Sequence, residues 1–471
     1  MSGVPRYLLL LTALFSRANH SACGLTPDDM IHRDLASWDL NSPLLPPQKV
    51  AASQLDDHSG LRLDGWCNMP HVTVETYITP PEGYVLRYAE VIQRHHKRTP
   101  YSSNLFYQED TRWECGASGP LYGLANDGGT SPVQWQAHTD NNNPFSGTQK
   151  QPVVTSSCQF PQLTPEGFRD SIDHGAHLRE VYGTRLGISE AFNPEEATFR
   201  VTNNPLTSQV ASGLLQGFYP GDTGKAHEVL IQPAAIDSLE PRYSCPRADA
   251  LRTSFTTGPN GSAWKEHLQT VQGDGTFAAL DGVSGIRPDD GEWHVSLDHY
   301  FDNLRARECH SMPLPCNLAN STLCVSPELA QMVYSVGNWE YSYLYRDAPG
   351  ALEYSIRKFG VWMLELESHL RAAIAGKSQV RYRHNVAHDG SISSLLGFLQ
   401  VSKMAWPGMG SEVAFELYER SGESWYVRVL WSGTVIETST NLGRLDMVPA
   451  DEFVQYIRSL IPSGEWLVQA C

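Results

Sequence analysis

The sequence predicts an α/β fold in which a mostly parallel β-sheet is flanked by helices and interrupted by a long helix-rich stretch. Three segments carry that expectation. The strand-like run Tyr84–Ile92 leads into a compact basic segment, Ala197–Val201 passes into the helix-like Ser208–Phe218, and the β-branched run Val380–Ala387 leads into the helix-like Ser391–Leu399. Strands alternating with helices favour parallel pairing, with ligands at the carboxyl ends of the strands.

Taken in order, Met1–Phe15 joins one positive charge, Arg6, to a short apolar run and is followed by the small residues Ala18, Ser21, Ala22 and Cys23. This describes a secretory signal peptide over 1–23, since a membrane span needs about 20 apolar residues. Residues 24–82 are rich in Pro, Asp and Ser and read as an extended segment tethered through Cys67. The first part of the α/β unit is expected over 83–220. Within it, 116–161 reads as a long loop insertion, because Asn126-Asp127-Gly128-Gly129 and Asp140–Pro144 are turn formers. The following segment predicts a helix: Thr164 can cap, Pro165 suits the first turn, and Phe168, Ile172, Leu178 and Val181 recur at helical spacing.

Between residues 221 and 349 the pattern changes to helix-like stretches, Trp264–Val271, His294–Arg307 and Pro327–Tyr334, separated by Gly- and Pro-rich turns. The α/β pattern resumes over 350–471. Glu353–Ile374 carries Ile356, Phe359, Trp362, Met363, Leu366 and Leu370 on one helical face, which is a core-facing stripe. Val413–Tyr418 and Trp425–Trp431 form a hairpin-like pair, and Asp451–Ile461 a terminal amphipathic helix.

Composition narrows the function. With 471 residues and a net charge of −17, the chain has an acidic surface that repels nucleic acid and anionic membrane. Neither is an expected partner, and no segment after the N-terminus is long and apolar enough to span a bilayer. Nine cysteines are present; cleavage after Cys23 would leave eight, an even number suited to disulfides outside the cell. Cys309, Cys316 and Cys324, beside His310, are spaced more widely than a C-x2-C metal site and are read as disulfide partners. Asn260-Gly261-Ser262 and Asn320-Ser321-Thr322 are glycosylation acceptors compatible with secretion.

An anionic substrate would need a local positive focus, and Arg94-His95-His96-Lys97-Arg98-Thr99-Pro100 supplies one. A neutral imidazole is a nucleophile, and flanking guanidiniums fork onto phosphoryl oxygens and steady the charge of a transition state. The segment reads as a phosphate site. It is similar to the R-H-G-x-R-x-P signature of the histidine phosphatases of the acid-phosphatase and phytase branch. Their second half-site is a His-Asp pair at the end of a later strand, matched here by His388-Asp389. Leu163-Thr164-Pro165-Glu166-Gly167 resembles the family's L-T-x-x-G helix start, and Gly337–Tyr341 and the late hairpin agree as well.

The resemblance implies a phosphoglycerate-mutase-like sheet with a smaller α-helical cap inserted over 221–349. It implies that His95 takes up the phosphoryl group as a phosphohistidine, that Arg94, Arg98 and His388 bind phosphoryl oxygens, and that Asp389 protonates the departing alcohol. No metal or cofactor is required in this scheme. Such chemistry needs a neutral His95 beside a protonated Asp389, the reverse of their unperturbed order, so maximal turnover is expected below neutrality.

Two positions depart from the family pattern. His96 stands at the motif glycine, which brings a side chain close to the phosphate loop. Leu206 stands where a third phosphate-binding arginine is expected. Arg200 is the local substitute, with His96 and Lys97 behind it, though Arg200 could equally pair with an acid at a strand end. The expected function is a secreted acid phosphatase acting on small phosphate monoesters. A phytase-like enzyme, or a weakly active or non-catalytic extracellular binding or signalling relative, stands as the alternative.

Overall fold

The computed structural model describes residues 65–471 except 109–112, 117–120, 127–128, 135–141, 145–156, 223–225 and 423. The expected signal peptide, Cys23 and most of the 24–82 segment lie outside the described residues, as does much of 116–161.

In chain order the strands are β1 (Tyr84–Arg94), β2 (Leu121–Asn126), β3 (Gly129–Gln134), β4 (Ala197–Val201), β5 (Leu230–Ile231), β6 (Tyr382–Ala387), β7 (Glu412–Arg420), β8 (Ser424–Trp431), β9 (Thr434–Val435) and β10 (Val448–Pro449). The helices are α1 (Pro165–Leu178), α2 (Thr184–Leu186), α3 (Pro205–Phe218), α4 (Pro246–Thr256), α5 (Ser262–Gly273), α6 (Thr276–Ser284), α7 (Asp298–Cys309), α8 (Pro327–Ser342), α9 (Ala351–Ile374), α10 (Asp389–Phe398), α11 (Ala450–Leu460) and α12 (Gly464–Ala470).

The main sheet runs β10-β8-β7-β1-β6-β4-β5, with β9 beside β8. It is mixed. β1, β6, β4 and β5 pair in parallel, whereas β7, β8, β9 and β10 add antiparallel strands on the other side of β1. The adjacent parallel strands β1 and β6 place Arg94 opposite Ala387 in register. Two segments almost three hundred residues apart therefore leave the sheet side by side, at the carboxyl ends where α/β sheets take ligands.

Helices cover both faces. Ile92, Phe359, Trp362, Met363, Leu366, Phe415 and Ile457 bury one side against α9 and α11. Val91, Tyr182, Phe199, Phe218 and Tyr382 bury the other against α1, α3 and their connections. α1 and α3 cross so closely that a Cβ on Gly217 would lie 1.9 Å from the Ile172 carbonyl oxygen, so only glycine fits there. The helices from α5 to α8 enclose an apolar cluster of their own, including Phe277, Leu280, Trp293, Tyr300, Phe301 and Val333, which reaches Trp406 on the α/β side.

One sequence expectation changes. Within the stretch read as a long loop, β2 and β3 form a two-stranded antiparallel hairpin that closes with Asn126 opposite Gly129. An Asp-Gly pair between two extended runs is a hairpin signal, outweighed in the sequence reading by the surrounding turn formers.

All eight cysteines from Cys67 onward are paired, as Cys67–Cys309, Cys115–Cys158, Cys245–Cys471 and Cys316–Cys324. The cysteines beside His310 are thus disulfide partners. Four disulfides are consistent with an extracellular or lumenal setting. Among the described residues, no helix is long and apolar enough to cross a membrane.

Candidate active site

β1 ends at Arg94, and the chain turns immediately after it. The His95 amide donates to the Ala387 carbonyl at 3.1 Å, so the last sheet-like bond sets the two motifs together. Helix α1 secures the loop from behind: the Thr164 amide and hydroxyl both donate to the Lys97 carbonyl, at 3.2 and 3.3 Å. A Cβ on Gly167 would lie 2.0 Å from that same oxygen, which is the physical reason for glycine at this motif position.

His95 is 1% exposed. Its Nδ1–H donates to the His96 carbonyl at 3.0 Å, which leaves a lone pair on Nε2, toward which Arg98 Nε points at 3.5 Å. The His388 ring lies across the cup, 5.6 Å away between centroids. Burial, reinforced by Arg98, Arg94 and His388, holds the His95 pKa well below its ordinary value, so the ring stays neutral in mild acid.

Arg94 is buried and bonds to Asp389 Oδ2 at 3.1 Å and to the Pro407 carbonyl, while its guanidinium lies over the Trp66 ring at 4.9 Å. Its Nε is buried without a protein acceptor. Arg98 pairs with Asp302 at 2.9 Å and lies 4.4 Å over Tyr101. Each arginine is thus fixed by a carboxylate and an aromatic face.

His388 leaves β6 and Asp389 opens α10, so the positive end of a helix faces the cup. His388 Nε2 is 3.0 Å from the Thr202 hydroxyl and 3.5 Å from Glu240 Oε2. Asp389 accepts from its neighbour's amide at 2.9 Å and from the Trp406 indole N–H at 2.8 Å. Burial pushes its carboxyl up, but Arg94, Trp406, Arg98 and His388 outweigh that and hold it below the usual range. The protein's own charges therefore make Asp389 a carboxylate.

Several contributors carried no sequence signal. Trp406, which holds Asp389, is stacked between Tyr341 at 3.7 Å and Phe301 of α7 at 3.9 Å. Trp66, Tyr101, Thr202, Glu240 and Asp302 come from five separate segments. Asp298, one helical turn before Asp302, is pushed up to about 7 by burial and by its carboxylate neighbours Asp302, Asp389 and Glu340. It is a second acid near Asp389.

The His96 ring turns away from the cup into a buried polar network. Gln93 links His384 and His96, each at 2.9 Å, and His174 lies 3.2 Å from His96 and 2.9 Å from Glu412. A neutral arrangement has Glu412 protonated and donating to His174 Nε2, with the His174 Nδ1–H and the Gln93 amide sharing the single lone pair of His96 Nε2. Burial accounts for this state, raising Glu412 to about 8, lowering His384 to about 3, and holding His96 and His174 well below the ordinary value. His71, stacked on His174 at 3.9 Å, is lowered to about 4, chiefly by burial.

A histidine whose folded pKa lies below its unfolded value of about 6.5 binds fewer protons folded than unfolded. The stability it confers is therefore present above about pH 6.5 and is lost as pH falls through the folded value. Glu412, raised, acts in the opposite sense, contributing most in acid and losing that contribution as pH rises through about 8. Asp298, raised to about 7, acts in the same sense as Glu412, but the lowered histidines His71, His95, His96, His174 and His384 outnumber the two acids. The melting temperature is expected to fall between about pH 6.5 and about pH 4; an equal or higher value at the acid end would contradict this assignment.

The positions of concern for the third arginine also have clear places. Leu206 is 1% exposed and packs with Leu163, Val210, Leu214 and Val386, so it is core. The Arg200 guanidinium pairs with Glu365 at 2.7 Å and Asp237 at 3.2 Å and also bonds Gln232 and Ser238, the contacts expected of the structural alternative. Lys97 is engaged by Asp170 at 2.9 Å.

Comparison with known proteins agrees with this fold. Residues 85–432 match the family model of the histidine phosphatase superfamily, branch 2, and the chain belongs to that family. It is 25% identical over 402 residues to counting factor 60 of Dictyostelium discoideum, covering 81% of this chain and 87% of the relative. It is 22% identical to human prostatic acid phosphatase, over 67% of this chain and 81% of that one. With human 2-phosphoxylose phosphatase 1 it shares 20% identity, covering 64% of this chain and 62% of the relative. Among solved structures, the phytase of Citrobacter braakii superposes with a TM-score of 0.52 at 14% identity, over 80% of this chain and 98% of that one. The family and these phosphatases are hydrolases of phosphate substrates.

Proposed function

We propose that the chain is a secreted acid phosphatase that hydrolyses small phosphate monoesters through a phosphohistidine on His95. The observation that carries this reading is the placement of His95: buried, tied at Nδ1 to the His96 carbonyl, with Nε2 facing Arg98 at 3.5 Å and the His388 ring across the cup. In this reading the phosphoryl group sits against Arg94, Arg98 and His388. Nε2 attacks phosphorus, the P–O bond to the alcohol breaks, and Asp389 protonates the leaving oxygen. Water then attacks the phosphohistidine with Asp389 as its base, releasing phosphate and regenerating the neutral ring. A covalent intermediate divides one difficult displacement into two easier ones.

The proton on Asp389 must come with the substrate. A phosphate dianion competes for Arg94 and Arg98 and adds negative charge, both of which raise the carboxyl, and Asp298, protonated below about pH 7, keeps a second proton close by. Turnover of p-nitrophenyl phosphate is expected to peak between about pH 4 and 6.5 and to fall as pH rises through 7. A maximum above about pH 8 would overturn the assignment.

Secretion is supported by the leader-like N-terminus, the four disulfides and the exposure of Asn260 and Asn320 in their acceptor tripeptides. A small monoester fits better than a polyphosphate, because Asp302, Glu240 and Asp389 offset the arginines and leave little net positive charge. Leu206 is the observation that favours the second reading, a binding or signalling relative. Absence of phosphate release across the acid range would decide for it.

A further inference from the structure

The cup is poor in free positive charge. Arg94 is matched by Asp389 and Arg98 by Asp302, at 3.1 and 2.9 Å. Glu240 adds a further carboxylate, 3.5 Å from His388, and stays ionised in acid because His388 and Arg242 overcome its burial and lower it to about 2. A dianion bound at His95 would therefore meet a wall bearing a permanent negative charge and two arginines already neutralised. The cation that answers this charge comes from an unexpected place.

We infer that Arg242, on the loop leading to α4, is a third phosphate-binding arginine, held at the cup's edge by Glu240 until phosphate displaces that carboxylate. This rests on the phosphatase reading and adds a binding residue to the same site. Arg242 donates to Glu240 Oε1 at 2.8 Å, while the other oxygen of Glu240 faces His388. It also lies within electrostatic reach of Tyr101, the ring beneath Arg98. Through Glu240 the guanidinium is thus linked to the His388 wall of the cup.

The loop is built to hold that position. Ser238 donates to Glu365, the Ser391 hydroxyl donates to the Leu239 carbonyl, the Tyr243 hydroxyl donates to the Arg357 and Lys358 carbonyls, and Cys245 is bonded to Cys471. The backbone is pinned on both sides of residue 242. The side chain is not: it is 63% exposed and has Glu240 as its charge partner. An arginine with a fixed root and a single exchangeable partner can trade that carboxylate for a phosphoryl oxygen, keeping its fork geometry. Leu206 can then belong to the core because the charge enters from another loop.

The test is binding of inorganic phosphate at mildly acid pH, by titration calorimetry, to the full chain and to R242Q, R242K and E240Q, each checked for an unchanged melting temperature. R242Q should weaken phosphate binding about tenfold or more, R242K should recover part of the loss, and E240Q should tighten binding several-fold. R242Q within about twofold of the parent, or weaker binding by E240Q, would overturn the inference. Steady-state hydrolysis separates it from the broader reading. Turnover that is insensitive to Arg242 sinks this inference alone, whereas Arg242-dependent phosphate binding without turnover sinks the hydrolase reading alone.

Discussion

Replacing His95 by alanine is expected to lower phosphate release by about four orders of magnitude or more, because the nucleophile has no substitute in the cup. His388 is the nearest other imidazole, but its Nε2 is engaged by Thr202 and Glu240. His96 is turned into the polar network behind β1. Neither ring presents a free nitrogen to the same position. The fold should survive, since the His95 side chain is neutral and its hydrogen bonds run only to its own loop, to the His96 carbonyl and from Arg98. Phosphate release is read by steady-state kinetics and fold by melting temperature. Retention of even a tenth of the parent activity would exclude His95 as the phosphate acceptor.

Asp389→Asn should be the second most damaging change, and its effect should depend on the substrate. Asparagine preserves the acceptor for the Trp406 indole and nearly the same volume, but it cannot donate a proton to the leaving oxygen or activate water. Loss of a positioned general acid costs about 10²–10⁴ in rate. The loss should be greatest for alkyl phosphates, whose alkoxide leaves poorly, and smaller for p-nitrophenyl phosphate, whose phenolate needs less help. Equal losses on both substrates would assign Asp389 to charge balance with Arg94 and not to proton transfer. The comparison is made on kcat, since loss of the Arg94–Asp389 pair changes phosphate binding equally for both substrates.

Much of this site was legible in the sequence because its chemistry is local. Arg94, His95 and Arg98 fall within five residues at a strand end, and His388-Asp389 stands between a strand and a helix, so pattern and chemistry coincide. Thr164 and Gly167 were legible for the same reason, as a helix start with a cap. What was not legible depends on contacts over long separations. Trp406, Trp66, Tyr101 and Asp302 act through faces and directions that only tertiary packing sets. Arg200 illustrates the limit most directly: its spacing was compatible with phosphate or with a structural acid, and only the direction of its side chain toward Glu365 and Asp237 distinguishes them. His96 is similar, since spacing could not show that its ring leaves the cup for Gln93 and His174. The β2–β3 hairpin was hidden because turn-forming composition outweighed two short extended runs.

The central claim is that a phosphoryl group resides covalently on His95 during turnover, and trapping it is the most direct measurement. A substrate labelled in its phosphoryl group, quenched during steady state and followed by peptide mapping, should leave acid-labile, alkali-stable phosphate on the peptide that carries His95. Label that is acid-stable, label on a peptide lacking His95, or none at all from an actively hydrolysing protein would contradict the account.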